Sequence, residues 1–401
     1  MTQSAHPATR AVRAAIESDT QHGAVVPPLY LSPHFALEGF GAKRRYDHTS
    51  RGNPARDALA DALCELEGGS GAVVTSSGMA ALTLLVQLLD PGDLLIAPHD
   101  CYGGSHRLFE HLAARGHFEL RFVDLTDPAA LAAACALRPK LILAETPSNP
   151  LLRITDIEAV AAAARRCGAL LAVDNTFLSP ALQNPLALGA DLVVHSTTKY
   201  LNGHSDVVGG ALVAGSEELA ETLAWWGNCL GITGSPFDSF LTLRGVRTLH
   251  ARMRSHEENA AGLVAALVAH PVVERVWYPG LASHAGHELA RRQQRGFGGM
   301  LSFELAGGEP AVRRFLESLT CFSLAESLGG IESLVCHPAS MTHAAVRREA
   351  LAHAGIGDTL VRLSVGLEHV ADLVSDVNAA LDAAAQASRL SVCRPAAAAG
   401  S

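Results

Sequence analysis

The chain has 401 residues, 48% of them hydrophobic and 18% charged, which is enough for a large core and for two domains. A net charge of −9 argues against a nucleic-acid partner, which needs a basic face, and no apolar run reaches transmembrane length. The first twenty residues lack the apolar stretch of a secretory signal, and the eight cysteines show neither a CxxC pair nor metal-ligand spacing. The expectation is a cytoplasmic enzyme with reduced thiols, no metal, no membrane and no nucleic acid.

Residues 1–55 read as an arm rather than a domain. A short helical stretch over 11–18 gives way to Val25-Val26-Pro27-Pro28-Leu29-Tyr30-Leu31, whose prolines favour extended chain. The loop Arg45-Tyr46-Asp47-His48-Thr49-Ser50-Arg51-Gly52-Asn53-Pro54 follows. Residues 55–67 then place Leu59, Leu63 and Leu66 on one helical face and stop at Gly68-Gly69.

Residues 72–75 read as a strand, and Gly78-Met79-Ala80-Ala81 opens an apolar helix to Leu89. Ser76-Ser77-Gly78-Met79 therefore lies at a helix N-terminus, where free N–H groups and the positive dipole suit a phosphate. Further strands are expected over 94–97, 118–123 and 141–145, and a helix over 156–167. Cys101, beside Tyr102, has no local His–acid partner motif to support a nucleophilic role, so it reads as packing.

Two short apolar runs, 170–173 and 192–194, end abruptly in Asp174-Asn175-Thr176 and His195-Ser196-Thr197-Thr198-Lys199. Buried parallel strands have this form, and open α/β sheets bind ligands beyond their carboxyl ends. Alternating strands and helices over 56–255 predict a doubly wound, mostly parallel sheet. Past a linker near Arg254, a helix over 257–269 begins a smaller C-terminal α/β domain, 256–401, with strands over 300–305 and 360–364. The tail after about Gln386, including residues 396–399, reads as frayed.

A strand-end lysine among hydroxyls, with an aspartate on the neighbouring strand, suits pyridoxal phosphate (PLP). That cofactor needs an amine for its Schiff base, a carboxylate at its ring nitrogen and donors for its phosphate. Lys199, Asp174, and Ser196 with Thr198 supply these in turn. The string VDNTFLSPALQNPLALGADLVVHSTTKYLNGHSDVV resembles the PLP site of the Cys/Met-metabolism family. The likeness runs from about Val25 to Val377.

The resemblance implies PLP fold type I, the architecture of aspartate aminotransferase, in a homotetramer whose 1–55 arm contacts a neighbouring subunit. It implies that Ser77, Gly78 and Met79 hold the phosphate, that Tyr102 stacks on the pyridine ring and assists as a second acid–base group, and that Asn149 bonds the phenolic oxygen. Lys199 carries the cofactor and moves the Cα and Cβ protons. Arg362 clamps the α-carboxylate of the amino-acid substrate bidentately, next to a substrate loop with Glu326 and Ser327. The implied reaction is γ-replacement or γ-elimination on an activated homoserine-type amino acid.

One loop departs from the family pattern Tyr-x-Arg-x-x-Asn-Pro, whose Tyr and Arg reach the neighbouring subunit's PLP phosphate. Counted back from Asn53-Pro54, those positions hold His48 and Ser50. Arg51 or a protonated His48 is a substitute donor. Neutral drift and a mouth remodelled for another substrate both stay open. Asp47, Arg51, Arg107 and Glu326 stand where the γ-replacing members keep theirs, which favours an O-succinyl ester of homoserine with cysteine. Alternatives are a γ-lyase, an eliminase acting on a γ-halo or vinylic amino acid such as 4-chloro-allylglycine, an aminotransferase, and a PLP-binding protein without turnover.

Overall fold

A computed structural model describes residues 5–342, 348, 351 and 354–392. They divide into two compact units. One comprises 5–147, 154–251 and 291–295, the other 148–153, 252–290 and the described residues from 296 to 392.

The first unit is built on seven strands: β1 Gly71–Thr75, β2 Leu94–Pro98, β3 Glu119–Val123, β4 Leu141–Glu145, β5 Leu170–Asp174, β6 Leu192–His195 and β7 Gly210–Ala214. Their order is β1-β7-β6-β5-β4-β2-β3. The pairs from β6 through β3 are parallel, whereas β7 runs antiparallel to both of its neighbours. Consecutive residues alternate between two cores, as a sheet covered on both faces requires. Leu143, Ala172, Leu192 and Val194 pack with Ala81, Leu82 and Leu85 of helix Gly78–Leu85. Ile142, Ala144, Leu171 and Val173 pack with Ile157, Val160 and Ala164 of helix Ile157–Cys167.

The second unit holds five strands, β8 Val273–Trp277, β9 Met300–Leu305, β10 Ser323–Leu324, β11 Leu334–Cys336 and β12 Leu360–Ser364, in the order β10-β11-β12-β9-β8. Phe303, Leu305, Val361 and Leu363 pack there with Phe315 of helix Gly308–Ser318 and with Leu373, Val377 and Leu381 of helix Val370–Val392. The α/β class and the mostly parallel sheet agree with the sequence expectation.

Several local expectations differ. The first helix is Pro7–Arg13, not 11–18: Pro7 suits a first helical position, and Ala15 and Glu17 at φ 57° and 69° end the helical path. Arg254 lies inside an unbroken helix, Leu249–Ala269, because no proline or glycine interrupts it before Gly262. The apolar run opened by Gly78 stops as α-helix at Leu85 and passes into a 3-10 turn over Val86–Leu88. Helix Val370–Val392 runs past Gln386, where fraying was expected; residues 396–399 lie outside the described residues.

Candidate cofactor site

In the first unit, the sequence-predicted residues gather where the parallel strands end. Asp174 closes β5 in register with Val194 of β6, and Lys199 follows β6 by a short turn in which its N–H donates to the Ser196 carbonyl at 3.2 Å. Two cross-links set the exits of these strands: Asn175 N–H donates to the Val194 carbonyl at 3.0 Å, and Ser196 N–H donates to Thr176 Oγ1 at 2.9 Å. Asp174 accepts from Thr176 N–H at 2.9 Å. Burial pushes its carboxyl above the ordinary range, against the opposing pull of Thr176 and the His195 imidazole. A half-buried carboxylate of this kind is a good seat for a cationic ring nitrogen.

The turn from β1 into helix Gly78–Leu85 lies against the same strand ends. Ser77 is extended, and its Oγ caps the helix by accepting from Ala80 N–H at 3.0 Å. Gly78 is required by space, since a Cβ there would stand 2.9 Å from Ser196 Cβ and 3.1 Å from its Oγ. Gly210 is equally confined: a Cβ would run into the Ser77 carbonyl and reach within 2.7 Å of Gly78 N. Thr198 is fixed by Gly209, whose N–H donates to its Oγ1 at 3.0 Å. The first-turn N–H groups, Ser77 and Ser196 thus stand together in an arrangement that suits a phosphate, while the Thr198 hydroxyl donates to the Gly209 carbonyl at 3.2 Å.

Tyr102 heads helix Gly103–Ala114, with its N–H donating to Glu145 Oε2 at 3.1 Å and its ring partly exposed over Gly104. Met79 Sδ also reaches Gly104, with 3.0 Å left for a Cβ there. Cys101 is buried beside Glu145 and Asp100, and burial with these carboxylates pushes its thiol well up. That suits packing and opposes a nucleophilic role. Arg107 is exposed on the same helix.

The 46–54 loop makes a local network. The Tyr46 phenol donates to Asp57 Oδ2 at 2.9 Å, and burial with that carboxylate pushes it up to about 12. His48 Nδ1 and Ser50 Oγ are 2.8 Å apart. Arg51 pairs with Asp47 at 2.7 Å, and Lys43 approaches the same carboxylate at 3.4 Å. Arg51 is therefore engaged on its own loop, although such an exposed pair is weak and readily exchanged.

In the second unit, three predicted residues come together. Arg362, on β12 and 2% exposed, donates from one guanidinium nitrogen to Asn149 Oδ1 at 2.8 Å and from another to the Ser327 carbonyl at 2.9 Å. Ser327 sits at φ 100°, a strained backbone for a residue with a side chain. Gly329 N–H, donating to Ser364 Oγ at 2.9 Å, and Ser333, bound to Glu368 through both N–H and Oγ, tie the rest of this loop to its strand. Glu326 lies exposed on the loop. The arginine is thus a buried, oriented group and not a surface ion pair.

The sequence reading missed a second group in the first unit: Glu67, Asn175, Gln183, Asn184 and His195, all bonded together behind the strand ends. Its one sequence signal is an acid at the last position of a helix, where the dipole disfavours negative charge. Among the described residues, no group of three or more His, Cys, Asp or Glu could hold a metal, and no helix is long and apolar enough to cross a membrane.

The family model for Cys/Met metabolism PLP-dependent enzymes matches residues 8–382. Cystathionine gamma-synthase of Escherichia coli K12 is 56% identical over 371 residues, 92% of this chain and 96% of that protein. Cystathionine gamma-lyase of Dictyostelium discoideum is 46% identical over 375 residues, covering 93% and 97%. The crystal structure of cystathionine gamma synthase from Xanthomonas oryzae pv. oryzae, in complex with aminoacrylate and cysteine, superimposes with a TM-score of 0.95 at 61% identity, covering 96% of this chain and 99% of that one. The chain belongs to the Cys/Met-metabolism family of PLP-dependent enzymes, with fold type I and PLP as its cofactor.

Proposed function

We propose that this enzyme catalyses γ-replacement, joining cysteine to the γ-carbon of an O-succinyl-homoserine-type ester with loss of succinate to give cystathionine. The observation that carries this reading is the whole-length likeness to cystathionine γ-synthases. Bound PLP supplies an electron sink that makes the Cα and Cβ protons of the amino acid removable.

The chain's own residues take the following parts. Ser77, Gly78, Met79, Ser196 and Thr198 hold the phosphate, and Asp174 holds the ring nitrogen in its charged form. Tyr102 supplies an aromatic face and assists as a second acid–base group, and Asn149 bonds the phenolic oxygen. Lys199 binds the cofactor and carries protons at Cα and Cβ, a general acid–base role that accounts for much of the rate. Arg362 receives the α-carboxylate, already oriented by Asn149 and Ser327. Ser327 and Glu326 line the substrate loop, and Asp47, Arg51 and Arg107 serve the distal carboxylate.

The assembly in this reading is a cytoplasmic homotetramer of two tight dimers. Residues 1–55 form an arm on the neighbouring subunit, 56–255 the PLP-binding domain and 256–401 the small domain. The arm's exposed Val25, Val26, Leu31, Leu37 and Phe40 support this, since such side chains gain most from cover by another chain. In this arrangement His48, Ser50 and Arg51 approach the partner's phosphate.

A second reading is favoured by His48 and Ser50, which replace a phenol and a guanidinium at that phosphate: γ-elimination on a γ-halo or vinylic amino acid lacking a distal carboxylate. Mass spectrometry of products from O-succinyl-L-homoserine, with and without L-cysteine, separates the two. Efficient cystathionine formation upholds replacement. Negligible turnover of this ester by PLP-loaded protein overturns it in favour of the specialised eliminase.

A further inference from the structure

Glu67 is the last residue of helix Pro54–Glu67 and has no exposed side-chain surface. Burying a carboxylate at the negative end of a helix is doubly unfavourable, so its charge must be met by donors. It is met three times. Oε1 accepts from His195 Nε2 at 2.7 Å and from Asn175 Nδ2 at 2.8 Å, and Oε2 accepts from Asn184 Nδ2 at 3.2 Å. Asn184 is held in turn by Arg295, which donates to its Oδ1 at 2.8 Å. Gln183 donates to Asn175 Oδ1 at 3.0 Å and to the Thr146 carbonyl at 3.1 Å. None of these side chains is used by the chemistry proposed above.

The position of the two donors to Oε1 gives this cluster its meaning. Asn175 directly follows Asp174, and His195 opens the turn that ends at Lys199. Asp174 lies on the sheet face of Ala172 and Val194, toward helix Gly78–Leu85, so Asn175 and His195 alternate to the opposite face. Parallel neighbours offer no turn to fix where their ends stand. Beside the Asn175–Val194 and Ser196–Thr176 bonds, one carboxylate oxygen ties the two exits from behind the sheet. His195 is completely buried, and its Nδ1 has no hydrogen-bond partner among the described residues. The Glu67 contact at Nε2 is thus the bond that orients the ring.

We propose that Glu67 is a positioning residue for the cofactor site, tying the strand exits that carry Asp174 and Lys199 and holding them at a fixed separation. The proposal rests on the reading of Asp174 and Lys199 as the cofactor's ring-nitrogen and amine partners. It has an electrostatic corollary: the His195 imidazole, held by Glu67, acts on Asp174 through the sheet and favours its charged form.

The test uses full-length Glu67→Gln, close in shape to the native residue, with His195→Gln, the double variant and Asn175→Ser. Each is loaded with PLP. Three quantities are read: the dissociation constant for PLP, the pH midpoint of the bound cofactor's visible absorption band, and the melting temperature of the cofactor-free protein. Glu67→Gln is expected to weaken PLP binding about tenfold and to move the midpoint by about half a unit or more, as expected for an orphaned donor beside a charged site. Asn175→Ser, which leaves the Glu67–His195 pair in place, moves both in the same direction by less. The double variant does no worse than Glu67→Gln, because His195→Gln removes an interaction that Glu67→Gln has already disturbed.

A fall in melting temperature with unchanged PLP affinity and midpoint in both Glu67→Gln and Asn175→Ser would overturn the proposal and leave the cluster a purely structural one. Lys199→Ala separates this from the reading beneath it. If that variant keeps a borohydride-reducible cofactor bond, the assignment of Lys199 fails whatever Glu67 does.

Discussion

Ser50 and His48 form a hydrogen-bonded pair on a loop where the family pattern places arginine and tyrosine. A hydroxyl and an imidazole are shorter and weaker phosphate donors than the groups they replace. Arg51 is the substitute donor of the proposed arrangement, and its guanidinium is engaged by Asp47 at 2.7 Å. Ser50→Arg is therefore expected to tighten PLP retention about tenfold, the scale of one added hydrogen bond to a charged group. Absorbance after exhaustive dialysis measures it, and equal retention by wild type would remove this loop from the phosphate's ligands. The loop's departure was legible in the sequence because it is a matter of residue identity. The pairing of Arg51 with Asp47 was not, since both side chains have several rotamers and only the folded loop selects one.

At the scale of elements, helix Pro54–Glu67 shows how local chemistry and remote contacts divide the work. Asn53 caps it, with Oδ1 accepting from Ala55 N–H at 2.9 Å and from Arg56 N–H at 3.4 Å. The same side chain, fully buried, donates to the Tyr30 carbonyl at 2.9 Å and so anchors the extended arm. Asn53→Ala is expected to destabilise the protein by about 2 kcal/mol, the upper end for a lost cap, because the Tyr30 carbonyl loses its donor as well. Ser216→Ala, at the exposed cap of helix Glu217–Leu230, should cost about 0.5 kcal/mol. Chemical denaturation compares them, and limited proteolysis should cut the arm faster in Asn53→Ala alone. The Gly68 stop was readable from sequence, whereas the Asn53 cap emerged with the structure. The carboxylate at the helix's last position gave no hint of its partners, since His195 lies 128 residues away.

At the scale of the whole molecule, a buried imidazole is expected to make stability depend on pH. His256, in helix Leu249–Ala269, donates from Nδ1 to the Val365 carbonyl at 2.6 Å, and burial lowers its imidazole to about 4. Arg252 pushes in the same direction, while the Val365 bond and Glu368 oppose it. The unfolded chain takes up this proton near 6.5 and the folded chain only near 4. The stability this group contributes is therefore complete above pH 6.5 and declines as pH falls toward 4, by about 3 kcal/mol in all. Melting temperature should drop across that window in the wild type, and less steeply in His256→Gln, which retains a donor for the carbonyl. Parallel slopes would assign the pH dependence elsewhere.

What the sequence alone determined was the content of the strands and the chemistry at their ends. Apolar runs such as 170–173 favour burial, Asp174 directly follows one and Lys199 stands at the end of the polar stretch after another, so fold class and cofactor were both within reach of local reading. Tertiary structure alone decided which distant groups meet. It inserted antiparallel β7 between β1 and β6, grouped Asn149 with Arg362 in the second unit, and seated Glu67 under the exits of β5 and β6. The reason is physical: burial and turn chemistry are properties of a few consecutive residues, whereas a hydrogen bond between remote side chains exists only once the sheet has brought them within 3 Å.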